Sequence, residues 1–94
     1  MYNTANYFAI LPSAVRYNAK LTSRSILLYA VLTSLAASDG EAYASNDYLM
    51  RTLGTSERTV NRLLAELVQE KYITIRYEYQ YGTKEIARRL IRIN

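Results

Sequence analysis

The chain contains neither cysteine nor histidine. Without thiols there is no disulfide framework and no thiolate zinc site. Without imidazole, the commonest general base, the commonest metal ligand and every Ser-His or Cys-His nucleophile pair are missing. Catalysis would have to run on carboxylates or a lysine, and no Asp/Glu pair is spaced in a way that argues for a shared cleft. The expectation is a binding module and not an enzyme, with no metal and no cofactor. Long apolar runs are also missing. The longest, Ile26 to Leu32, falls well short of the ~18 residues that span a bilayer. The start, Met1-Tyr2-Asn3-Thr4-Ala5-Asn6, lacks the basic region and small-residue cleavage site of a signal peptide. A cytoplasmic protein with no membrane partner is expected.

What is present suits one compact domain spanning 1–94. Half of the 94 residues are apolar, so a core can be buried without staples. The net charge of +4 is unevenly placed. Residues 1–50 balance Arg16, Lys20 and Arg24 against Asp39, Glu41 and Asp47. Residues 51–94 hold nine basic and five acidic residues, so the whole excess lies there. A basic half points to a polyanion, either nucleic acid or an anionic membrane surface.

Residues 1–11 read as an extended arm, with Tyr7, Phe8, Ile10 and Leu11 as β-formers and Pro12 as its end. Pro12 also suits the opening of a short helix through about Arg16. Thr22 or Ser23 caps a helix running to about Ala37. Its apolar stripe is Ile26, Leu27, Ala30, Val31 and Leu35, broadened by Leu28 and Leu32. After the turn Ser38-Asp39-Gly40, Ala42-Tyr43-Ala44 reads as a very short strand. Ser45 caps a third helix with Tyr48, Leu49 and Leu53 inward, closed by Gly54. Ser56 caps a fourth through about Lys71, with Val60, Leu63, Leu64, Leu67 and Val68 buried. From Tyr72 the period drops to two: Ile73, Ile75 and Tyr77 alternate with Thr74, Arg76 and Glu78. Gln80-Tyr81-Gly82-Thr83 turns the chain into a return strand, Lys84 to Ile93. That strand alternates imperfectly, which predicts a bulge.

The order is mainly α with a C-terminal β-hairpin, an α+β class. Two helices joined by a short glycine turn and followed by a hairpin make a winged helix-turn-helix, with residues 45–71 as the helix pair and 72–94 as the wing. The early half of the fourth helix would then enter the ~12 Å major groove. Its outward positions are Glu57, Arg58, Asn61, Arg62 and, at the margin, Thr59. Arginine bonds guanine O6/N7 bidentately, asparagine does the same to adenine N6/N7, and glutamate accepts from cytosine N4. Backbone N–H groups from Ser56 to Thr59 form a positive helix end, and the Ser56 and Thr59 hydroxyls add phosphate bonds. Arg76, Lys84, Arg88 and Arg89 would give the wing its electrostatic grip, with Arg92 adding to the basic set.

Each residue has a plainer reading. Arg58 and Arg62 also suit an ordinary solvated face, and an Arg62–Glu66 pair would add only ~0.2–0.5 kcal/mol. Arg88, Arg89 and Arg92 also suit protection of a sheet edge. The ten tyrosines invite a base-stacking reading. Tyr29 and Tyr48, however, fall in apolar helical stripes and read as core, while Tyr77, Tyr79 and Tyr81 stay open. The case for double-stranded DNA rests on the combination of capped turn, polar outward face and basic hairpin.

Specific segments carry a resemblance. They are Tyr7-Phe8-Ala9-Ile10-Leu11-Pro12, Val15-Arg16-Tyr17, Leu28-Tyr29-Ala30, Ala44-Ser45-Asn46-Asp47-Tyr48-Leu49, Ser56-Glu57-Arg58-Thr59-Val60-Asn61-Arg62-Leu63-Leu64 and Tyr72-Ile73. Together they resemble the amino-terminal winged-helix domain of phage and plasmid replication-initiation proteins, the replisome organisers. The resemblance implies binding to origin repeats, with the Ser56–Arg62 helix in the major groove and the hairpin as wing. It also implies a further domain, absent from these 94 residues, that recruits a helicase loader or helicase. The amino-terminal domain of DnaD-type primosomal proteins is similar too, and implies self-association into a homo-oligomer through the arm. A winged-helix transcriptional repressor would share the fold and the contacts.

Overall fold

The computed structural model describes residues 9–37, 39–83 and 86–94, with the side chains of 86 and 87 outside the description. The elements run α1 (Ser13–Arg16), α2 (Ser23–Leu35), β1 (Glu41–Tyr43), α3 (Asn46–Leu53), α4 (Glu57–Gln69), β2 (Ile73–Tyr79) and β3 (Ile86–Ile93). Among the described residues no helix is long and apolar enough to cross a membrane. Most of the expected extended arm, residues 1–8, lies outside the described residues. Residues 9–12 carry no regular structure, and Ile10 is tied to α2 through its N–H to Thr33 Oγ1 at 2.9 Å.

Hydroxyl caps start the three longer helices as their positions predict. Thr22 accepts from the Ser25 N–H, Ser45 from the Tyr48 N–H and Ser56 from the Thr59 N–H. Each such cap is worth ~1 kcal/mol. α4 ends two residues before the expected Lys71 because the chain reverses there. The Lys71 N–H bonds the Val68 carbonyl, the Tyr72 N–H bonds the Leu67 carbonyl, and Lys71 takes φ 65°. This is a Schellman closure with lysine where glycine is usual.

The sheet is antiparallel, in the order β1-β3-β2. β1 begins one residue before the predicted strand, and it pairs with β3, so the hairpin gains a third strand. The expected bulge is present: Glu78 opposes Arg88 and Tyr79 opposes Ile86, leaving residue 87 as the extra one. Helices packed on one face of a three-stranded antiparallel sheet with an extended β2–β3 hairpin make an α+β winged helix.

The core lies between α2, α3, α4 and the inner sheet face. Leu28, Leu32, Leu49, Leu63, Leu67, Ile73 and Ile91 are fully buried. On α2 the buried face is Ser25, Leu28, Tyr29 and Leu32, while Leu27 is 52% exposed. The predicted stripe, centred on Ile26, Leu27, Ala30, Val31 and Leu35, is therefore rotated from the real one. Positions 26–32 are apolar almost without interruption, so periodicity alone selects no face. Two further inward assignments are corrected: Tyr48 and Val68 are 36% and 41% exposed. Tyr29 is buried as predicted and meets Tyr72 edge-on at 6.1 Å.

Candidate nucleic-acid interface

The helix-turn-helix is held by short-range geometry. Gly54 ends α3 in the left-handed region at φ 64°, and its N–H bonds the Met50 carbonyl. The Thr55 N–H bonds the same carbonyl at 3.0 Å. From α2, Arg24 Nη1 donates to Thr55 Oγ1 at 3.2 Å, tying the turn to the body. α4 then buries Val60, Leu63, Leu64 and Leu67 and exposes Glu57, Arg58, Asn61 and Arg62, with Thr59 half-buried. The expected outward face is the observed one.

Arg58 is exposed and has no hydrogen-bond or ion-pair partner among the described residues. Arg62 is 58% exposed and pairs with Glu66 at 3.2 Å, so the i,i+4 pair weighed from the sequence is formed. Glu66 also accepts from the Thr22 N–H and hydroxyl, which fastens this end of α2 to α4. Ser56 and Thr59 bond each other through their hydroxyls, and Ser56 Oγ takes the Thr59 N–H. That N–H is therefore occupied, which narrows the predicted set of free donors at the helix start.

The wing departs further from expectation. Arg89 was expected to grip the phosphate backbone. Instead it is half-buried on the inner face, opposite Tyr77. Its Nε and Nη2 donate to the Ala44 carbonyl at 3.2 and 2.8 Å, and its Nη1 donates to Asn46 Oδ1 at 2.8 Å. Burial lowers its pKa, partly offset by Tyr77. The reason is register: Arg89 shares the parity of Ile91 and Ile93, so its stem points at the body.

Arg76, Arg88 and Arg92 occupy the opposite face. Arg76 approaches Glu41 at 3.6 Å and Glu78 at 3.9 Å, and Arg92 approaches Glu41 at 3.8 Å. Arg88 pairs with Glu78 and lies over the Tyr43 ring at 4.6 Å. Its hydrogen bond to Glu78 raises its pKa. Much of the positive charge assigned to the wing is thus matched by carboxylates, one of which β1 carries in from outside the hairpin. The arginine ends of these pairs are exposed, which keeps the pairs weak and leaves the guanidinium groups accessible to a stronger anion. Lys84 lies outside the described residues.

Asn46 is the residue that sequence reasoning left without a role. Its Nδ2 donates to Glu57 Oε2 and to Asn61 Oδ1, both at 3.2 Å, while its Oδ1 faces Arg89. One amide on α3 thereby joins two outward residues of α4 to an arginine of β3. Only the hydroxyl cap before it was readable; its nearness to positions 57, 61 and 89 was not. Beside it lies a cleft of about 610 Å³, lined by Asn46, Asn61, Tyr77, Arg88 and Arg89 among others. The cleft lies where the end of β1, the start of α3, α4 and the hairpin meet.

Residues 19–73 match the model of a family described as a helix-turn-helix domain. No curated protein and no solved structure matches the chain. The matched stretch holds α2, β1, α3 and α4 with the glycine turn between the last two, and reaches the first residue of β2. A helix-turn-helix places its second helix where DNA is read. With the match covering more than half of its length, the chain belongs to the helix-turn-helix domain family, and that membership points to DNA binding.

Proposed function

We propose that this domain binds double-stranded DNA sequence-specifically, with the first two turns of α4 in the major groove and the β2–β3 hairpin as wing. The observation that carries the reading is Arg58. A guanidinium without a partner among the described residues stands on the exposed face of α4, just past the turn, beside Asn61 and Arg62. Arg62 can join it readily, because an exposed i,i+4 pair holds it by only ~0.2–0.5 kcal/mol while a bidentate guanine contact discriminates by ~1–3 kcal/mol. Ser56 and Thr59 at the helix start serve a phosphate, and Arg76 and Arg88 add charge along the hairpin.

The resemblance to replisome organisers supports the finer reading: the domain acts in the cytoplasm at a phage or plasmid replication origin, as the DNA-binding part of an initiator and without catalysis of its own. Selection of bound duplexes from a random pool at ~50 mM salt tests it. A recovered motif, found as repeats in a replication origin, is the expected result, and its repeat or palindrome pattern counts the subunits. A pool that returns no enriched motif would refute sequence-specific binding. A motif confined to promoters would refute the origin.

A further inference from the structure

One arginine sets the orientation of the polar groups at the base of α4. A guanidinium carries donors only, so whatever faces it must be an acceptor. Arg89 Nη1 lies 2.8 Å from Asn46 Oδ1, and its other two bonds, to the Ala44 carbonyl, keep it from turning away. The Asn46 oxygen is thereby committed to β3, and its NH2 is aimed at α4. There it meets two acceptors, Glu57 Oε2 and Asn61 Oδ1. Asn61 consequently has its oxygen turned inward, and its exposed NH2 finds no acceptor among the described residues.

We infer that Arg89 and Asn46 are positioning residues that present Asn61 to DNA as a hydrogen-bond donor, so that α4 reads a base with an acceptor edge at this position, guanine first and thymine second. Guanine offers N7 and O6, both acceptors, and thymine offers O4. Cytosine offers a donor there. Adenine offers the acceptor N7 but sets the N6 donor beside it against the amide donor, and the bidentate asparagine–adenine contact needs Oδ1 in line with N6, whereas Oδ1 is turned toward Asn46. The inference rests on the duplex-reading role of α4 and specifies its chemistry at one position.

Random-pool selection with the full 94-residue chain and three variants provides the test. Asn61→Ala identifies the position, as the one where base preference disappears. The parent chain is expected to select guanine or thymine there. Asn46→Asp keeps the size of the side chain and the bond from Arg89 but removes the donors facing Asn61. Asn61 then reverses its amide to donate to the new carboxylate and turns its oxygen outward. The base at that one position should invert toward cytosine or adenine, by a factor on the order of 5–100. A merely structural Asn46 would not invert one base while sparing its neighbours. If thermal melting shows Asn46→Asp unfolded, Asn46→Ala is read instead, and the preference at that position should collapse. Adenine or cytosine selected by the parent overturns the inference, as does an Asn46→Asp pool that keeps the parent's base. An Asn61→Ala pool unchanged at every position overturns it too while duplex binding stands. A parent that enriches nothing overturns both.

Discussion

Replacing Arg89 with methionine distinguishes a structural arginine from a DNA-contacting one. Methionine keeps most of the apolar stem and removes the guanidinium. Three hydrogen bonds to two acceptors are lost. The Asn46 oxygen borders the cleft and can take water. The Ala44 carbonyl belongs to a buried residue, and a buried acceptor without a partner costs ~1–3 kcal/mol. Bonds from a charged donor add to that loss, while relief of the cation's own desolvation, visible as its lowered pKa, offsets part of it. The net expectation is a loss of about 2–3 kcal/mol. A domain of this size holds roughly 5–14 kcal/mol in all. At about 4–8 °C per kcal/mol, the midpoint should fall by roughly 10–20 °C. Urea and thermal unfolding followed by circular dichroism give both quantities. Arg58→Ala is the control: Arg58 is exposed and without a partner among the described residues, so the variant should stay within ~0.5 kcal/mol of the parent. It should also reduce the salt dependence of duplex binding by about one charge if it contacts phosphate, or relax specificity at one position if it contacts a base. The reasoning fails if Arg89→Met unfolds with the parent while its salt dependence drops by one, because Arg89 would then be a free phosphate contact.

Two left-handed residues make opposite predictions. Gly54 has no atom within 4 Å of where a Cβ would sit, so Gly54→Ala should cost only the backbone term, ~1–2 kcal/mol. Lys71→Gly, at φ 65°, should stabilise by up to ~1 kcal/mol, and urea midpoints measure both. A third prediction concerns alkaline pH. Burial, with Tyr72 adding, pushes the Tyr29 hydroxyl above its ordinary value, so the folded state holds that proton more tightly than the unfolded chain. The associated stability is full below about pH 10 and declines as pH rises beyond it. Tyr29→Phe should flatten that part of the decline in urea midpoint against pH, and parallel curves for the two proteins would exclude the effect.

Much of the fold was legible because its signals are local. A hydroxyl three residues ahead of the N–H it caps, a glycine at positive φ between two helices, and alternation after Tyr72 all act over a few residues, and each appears where it was expected. The stripe on α4 was readable because polar residues separate its apolar ones. α2 has no such contrast, so its buried face was decided by what packs against it. The arginines of the hairpin show the same division. Their number and sign are plain in the chain, and so is the parity that Arg89 shares with Ile91 and Ile93, but not that this face closes on Ala44 and Asn46, nor the pairing with β1 that sets Glu41 near Arg76 and Arg92. Asn46 meets Asn61 and Arg89 across 15 and 43 residues, a distance over which no sequence period carries information. The amino acids alone determined the order of elements and which residues of α4 face outward, since both follow from bonds within one or two turns. Only the tertiary structure decided which of the cations remain free and which way Asn61 presents its amide, since both depend on groups that meet only after the sheet has closed on the helices.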